Sequence, residues 1–136
     1  MSIQPGINET FKEAEALYTE QSNAWALAAE NLRDVQSRMR AAEYEMELIE
    51  GFTRLSPEVM AGKNSEERSA QVLLAVDADV AYSAFWQERE TSRQLVARWQ
   101  DEAMLARDKM AKAKRVMDYC IAHLNWRATK GGESDG

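Results

Sequence analysis

Few side chains in this sequence are of the kinds that carry out chemistry. There is one cysteine, Cys120, and one histidine, His123. A spacing of three puts both on one face of a helix, a sulfur and a nitrogen of the sort zinc takes. Two ligands close no zinc site unless a second chain supplies the rest. The competing reading is a small buried thiol beside a histidine near a helix end. Glu43, Glu45, Glu47 and Glu50 crowd one stretch, but carboxylate di-iron centres need Glu-x-x-His pairs facing into a bundle, and none occurs. These glutamates read as a solvated acidic face. Their place late in a helix opposes its dipole and favours a positively charged partner. No nucleophile elbow, Walker loop, glycine-rich dinucleotide turn or HExxH sequence is present. The expectation is a protein without catalytic residues, bound metal or cofactor, and not an enzyme.

Binding chemistry has more candidates. Arg107, Lys109, Lys112, Lys114 and Arg115 form a basic run that could grip phosphates. It could equally be a helix surface that pairs with the acidic half of another copy. Residues 1–62 hold five basic and eleven acidic residues, a net of −6, whereas residues 107–136 hold seven basic and four acidic, a net of +3. The run lacks interleaved aromatics and the whole chain carries −6, so nucleic-acid contact is possible but not favoured. Of the four tryptophans, Trp25 and Trp99 fall on apolar stripes where core packing explains them, and Trp86 and Trp126 do not. Phe85 and Trp86 are adjacent and point to different faces. Trp86 and Trp126, with Glu43, Glu47 and the hinge residue Lys63, are therefore the expected protein-binding residues; a wider three- or four-helix core is the alternative for the tryptophans.

The elements that position these groups follow from periodicity. The chain has 136 residues, 45% hydrophobic and 29% charged, with six glycines and two prolines, which suits one all-α domain. Apolar or small residues recur at alternating steps of three and four through Phe11, Ala14, Tyr18, Gln21, Trp25, Ala28, Leu32, Val35, Met39, Ala42, Met46 and Ile49. This seven-residue repeat predicts a helix over about 8–50 packed along its length on another helix. Asn8 is its expected cap and Gly51 its left-handed exit. Bulky positions alternate with Ala14, Ala28 and Ala42, which favours a closely packed antiparallel coiled-coil hairpin over a parallel dimer.

Residues 51–65 form the connection, with Ser56-Pro57 opening a short helix ended by Gly62, and Asn64 and Glu67 at capping-box spacing for a second long helix. That helix is expected over about 65–126, on a stripe of Val96, Trp99, Ala103, Ala106, Met110, Ala113, Met117, Cys120 and Leu124. Backwards the same register runs through Ser92, Arg89, Phe85, Tyr82, Ala78, Ala75 and Gln71, and its polar members make a break or stutter within 77–92 plausible. If the helices fold back about 51–65, Phe11 lies opposite residue 106 or so. Met110, Ala113, Met117, Cys120 and Leu124 then overhang without a partner, and these are the expected oligomerisation residues of a helical bundle. A kink that makes a three-helix bundle is the competing arrangement. Residues 129–136, TKGGESDG, are expected to be a disordered tail.

The segment Ala61-Gly62-Lys63-Asn64-Ser65-Glu66-Glu67-Arg68, followed by Ala70-Gln71, resembles the GKN-x-x-x-R hinge of small uncharacterised helical-hairpin proteins of bacteriophages, especially those of actinobacterial hosts. Gly62, Lys63, Asn64 and Arg68 match that motif. In architecture the likeness extends over about residues 10–125. The Ser56-Pro57 linker and the tryptophan-rich second helix are departures from that group. The resemblance implies a phage protein acting in the host cytoplasm, often beside recombination or host-takeover functions, and supplies no catalytic residue. A lone cysteine, no signal-peptide pattern at the amino terminus, and no apolar run longer than Val72 to Val76 in the middle of the chain agree with a cytoplasmic, non-membrane protein. The expected function is that of an adaptor or inhibitor that binds a host or phage protein handling nucleic acid. The alternatives are direct DNA or RNA binding by the 107–115 run, and a structural or assembly role in the virion.

Overall fold

The computed structural model describes residues 6–134, and every element among them is a helix. Helix α1 spans Ile7–Arg54, α2 Pro57–Met60, α3 Ser65–Ala78 and α4 Val80–Ser134. Long helix α1 packs against α4, so the fold is a helical hairpin. The chain divides into two compact units, Met1–Glu30 with Gln100–Gly136, and Asn31–Trp99.

In the first unit the early turns of α1 lie beside the middle of α4. Ala14, Ala28, Ala106, Ala113 and Cys120 are buried there, Cys120 completely. Thr10, Glu13, Ala14 and Leu17 share one groove with Lys112, Ala113 and Val116. Small residues at the centre of this seam let the two backbones approach, as the alternation of large and small residues requires. Met110, Met117 and Leu124 are half-buried on the same side of α4. The expected overhang is thus corrected: α1 shares a groove with Lys112, Ala113 and Val116, and Cys120 is buried within the single chain. Met110, Ala113, Met117, Cys120 and Leu124 belong to an internal seam.

The reason lies in the second unit. Tyr82, at the start of α4, donates its hydroxyl to Glu50 near the end of α1 at 2.8 Å, so the long helices meet about fourteen residues later in α4 than a turn over 51–65 implies. Residues 65–78 do not extend the seam. They form α3, whose Val72 and Val76 join Val59 of α2 in a core against which Ile49 and Tyr82 pack. Gln71, Ala75 and Ala78, the backward extension of the α4 register, are exposed. The two registers are separated at Asp79, whose backbone is extended (φ −82°, ψ 119°) and whose Oδ1 accepts from the Tyr82 amide at 2.9 Å, capping α4. The break falls inside the expected 77–92 window and makes α3 a short third helix.

Helix ends differ from expectation in informative ways. Helix α1 begins at Ile7, with the Gly6 carbonyl accepting from the Thr10 amide at 2.9 Å, so Asn8 lies inside it. At the other end α1 continues through Gly51 to Arg54, because Ile49 and half-buried Thr53 are still engaged there; the Thr53 hydroxyl donates to the Ile49 carbonyl at 2.7 Å. No described glycine has positive φ, so neither Gly51 nor Gly62 supplies a left-handed exit. Gly62 matters for space: a Cβ there would stand 2.7 Å from Cγ of Arg68 and 3.1 Å from the Val59 carbonyl oxygen. Pro57 opens α2 as expected, while Ser56 holds the N-cap position without a capping hydrogen bond from its side chain. The Asn64 side chain accepts from the Glu67 amide at 2.8 Å, while Oε2 of Glu67 accepts from the Lys63 amide at 3.3 Å, a capping box displaced by one residue. Helix α4 runs on to Ser134, past the expected end at Trp126 and into the stretch expected to be a tail; Asp135 and Gly136 lie outside the described residues.

Gly51 now sits in a helix interior, exposed, with nothing within 4 Å of an added Cβ. Gly51→Ala is expected to raise stability by about 0.5–1 kcal/mol, read as a higher urea midpoint at unchanged slope. A lower midpoint would contradict the continuity of α1 through this residue.

Candidate interaction surfaces

Each long helix buries one stripe and leaves a second apolar stripe outside. In the first unit, Leu105, Val116, Tyr119 and Trp126 of α4 are exposed by 51%, 39%, 66% and 57%. At about 100° per residue they fall within about 80° of one another on the helix. Their aromatic members form a ladder through His123: the Tyr119 and His123 rings stack at 6.3 Å between centroids, and His123 and Trp126 stand at 6.1 Å. Val116 also borders the groove it shares with Leu17 of α1. In the second unit, Tyr44, Leu48 and Phe52 are exposed along one face of α1, again within about 80°, and Leu55, just past the end of that helix, is exposed as well. Glu47, exposed, adjoins that face, and Glu43 is half-buried.

Trp86 is 42% exposed. It lines a pocket of about 300 Å³ with Val76, Asp77, Tyr82, Ser83 and Gln87, where α3 gives way to α4. Lys63 is exposed at the hinge, and only its backbone amide is engaged, by Glu67. Arg107, Lys109, Lys112, Lys114 and Arg115 are all exposed, and among the described residues none of them forms an ion pair. Their spacing distributes them around the solvent side of α4 instead of gathering them into one stripe. The structure therefore brings Tyr119, His123 and Trp126 together, and groups Trp86 with the α3–α4 junction, while the basic residues do not converge.

Cys120 lies fully buried, and His123 is half-buried between two rings. Among the described residues no group of three or more His, Cys, Asp or Glu is placed to hold a metal ion, and no helix is long and apolar enough to cross a membrane.

Polar groups within the second unit serve the seam. Ser92, 4% exposed, takes a small-residue place. Arg89 keeps its Nε buried without a hydrogen-bond partner, its Nη2 standing 3.4 Å from Glu90. Glu50, one of the crowded glutamates, is a structural acceptor for Tyr82. That hydrogen bond, with burial and the Glu50 charge, raises the Tyr82 phenol above its ordinary 10.0, and Arg89 partly opposes the rise. A raised value means the protonated form is preferred in the folded state, so the stabilisation is complete below pH 10 and fades as pH rises through the folded value. Tyr82→Phe is expected to cost about 1 kcal/mol between pH 6 and 9, with the difference from wild type shrinking above pH 10. A pH-independent difference would contradict the assignment.

No family model, curated protein or solved structure matches the chain.

Proposed function

We propose that this is a non-enzymatic binding protein of phage type, which self-associates and acts in the host cytoplasm as an adaptor or inhibitor of a protein that handles nucleic acid. The observation that carries the binding role is the amount of apolar surface left outside. Leu105, Tyr119 and Trp126 of α4 and Tyr44 and Phe52 of α1 are all more than half exposed, and exposed apolar faces mark interaction sites.

The occupant of the outer α4 stripe is a second copy of the chain. Charge favours it, since the net +3 of residues 107–136 complements the net −6 of residues 1–62. The face of Tyr44, Leu48 and Phe52, beside acidic Glu47, is then the surface offered to a partner with a basic binding patch. The phage setting rests on the hinge likeness alone. Sedimentation of the protein across a dilution series tests the reading: an oligomer that Val116→Lys with Tyr119→Lys returns to monomer supports it, and an unchanged mass in that variant overturns this assignment of the stripe.

A second reading, direct nucleic-acid contact, is favoured by the five exposed cations at 107–115, none of which forms an ion pair among the described residues. It requires an affinity for DNA or RNA that falls steeply with salt.

A further inference from the structure

The junction of α1, α2 and α3 holds a pocket of about 350 Å³ lined by Arg54, Val59, Ser65, Arg68, Ser69 and Val72. Val59 and Val72, 3% and 6% exposed, supply apolar walls. The remaining lining is two guanidinium-bearing and two hydroxyl-bearing side chains, with no carboxylate among them. This is unexpected in a chain whose first 62 residues carry a net of −6. Among the described residues neither Arg54 nor Arg68 forms an ion pair. Arg68 is held in place through its Nε, which donates to the Asn64 carbonyl at 3.2 Å, and its stem lies against Gly62, where only glycine leaves room. Its two terminal amino groups remain as donors. Ser65, Ser69 and Val72 follow at steps of four and three, so one face of α3 presents both hydroxyls.

Two like charges on one small pocket repel each other, and an anion between them reverses the sign of that interaction. Guanidinium forks and hydroxyls match the oxygens of a phosphoryl group, which accepts several charge-assisted hydrogen bonds at once. The volume exceeds that of a bare phosphate and lies in the range of small-ligand pockets. We infer that this pocket binds the phosphoryl group of a small phosphate monoester, with Arg54 and Arg68 as the charged donors and Ser65 and Ser69 as the neutral ones. This site is independent of the exposed apolar stripes.

The test is titration of the full chain with inorganic phosphate and, separately, with AMP, at constant ionic strength, followed by NMR of the backbone amides and arginine Nε–H groups. The expected result is a saturable shift of the Ser65, Ser69, Arg54 and Arg68 signals. Arg54→Gln should weaken it at least about tenfold at unchanged melting temperature, and Ser69→Ala should weaken it less. Tighter binding of AMP assigns the monoester, and equal binding assigns the phosphoryl group alone, either way at this pocket. Shifts confined to the 107–115 lysines and arginines, or Arg54→Gln and Ser69→Ala both titrating like wild type, would overturn the inference.

Discussion

Val116→Lys combined with Tyr119→Lys is expected to weaken self-association by at least about a hundredfold while leaving helix content unchanged. Both side chains lie on the outer α4 stripe, 39% and 66% exposed, so lysine at either place keeps its ammonium in water in the isolated chain and costs the fold little. In an interface built on this stripe, the same two charges lose their water without gaining partners. Removing an unpaired charge from water costs several kcal/mol, so two of them give more than the two decades expected, each decade being about 1.4 kcal/mol. The charge added at 116 also lies beside Lys112, which lines the same groove. Circular dichroism checks that the fold survives, and sedimentation reads the association. Loss of helix content alongside the lower mass would instead place Tyr119 in the stability of the hairpin.

Met46→Ala is expected to lower stability by about 3 kcal/mol, the middle of the range for truncating a long buried side chain. Met46 is 3% exposed on the α1 seam of the second unit, as is Ala42 one turn before it. Against a total of about 5–15 kcal/mol for a domain of this kind, such a loss shifts the urea midpoint visibly. Leu74→Ala is the control. Leu74 is nearly as large and sits in the most apolar stretch of the sequence, yet it is 66% exposed, so its removal should change stability by less than about 0.5 kcal/mol. Both variants are compared at one protein concentration, because self-association adds to the measured stability. Equal effects for the two would mean that the seam has been assigned to the wrong face.

The seams themselves were legible residue by residue. On α1 the three-four stripe from Phe11 to Ile49 is buried or half-buried at every position but Trp25, which is 44% exposed. On α4 the stripe holds from Tyr82 to Leu124, and it includes Arg89 and Ser92, the members that looked least suited to it. A heptad pattern specifies which face of a helix is buried. It does not specify how far along the partner that face is laid down, which is why the overhang from Met110 to Leu124 was expected and is not found. The offset depends on Asp79, a single capping residue in a stretch otherwise compatible with one continuous helix. In Val72-Leu73-Leu74-Ala75-Val76 every residue is apolar, so periodicity cannot tell the buried valines from the exposed leucines.

The candidate sites were legible to a smaller degree. Trp86 and Trp126 were singled out because the seams leave no place for them, and both are exposed. The ladder of Tyr119, His123 and Trp126 has helical spacing that could have pointed to it. The pocket of Arg54 and Arg68 had no such signal, since its walls come from three helices and the residues are fourteen apart. Glu50 carried the same signal as its neighbouring glutamates, and only the position of Tyr82 separates it from them.

Ala113 and Cys120 are buried within the single chain, and the outer stripes are proposed to be covered by protein. Light scattering coupled to size exclusion, at two protein and two salt concentrations, tests that proposal most directly. A dimer or higher oligomer is expected at micromolar concentration, with a mass that falls on dilution. A monomer of 15.4 kDa at every concentration and salt would contradict it.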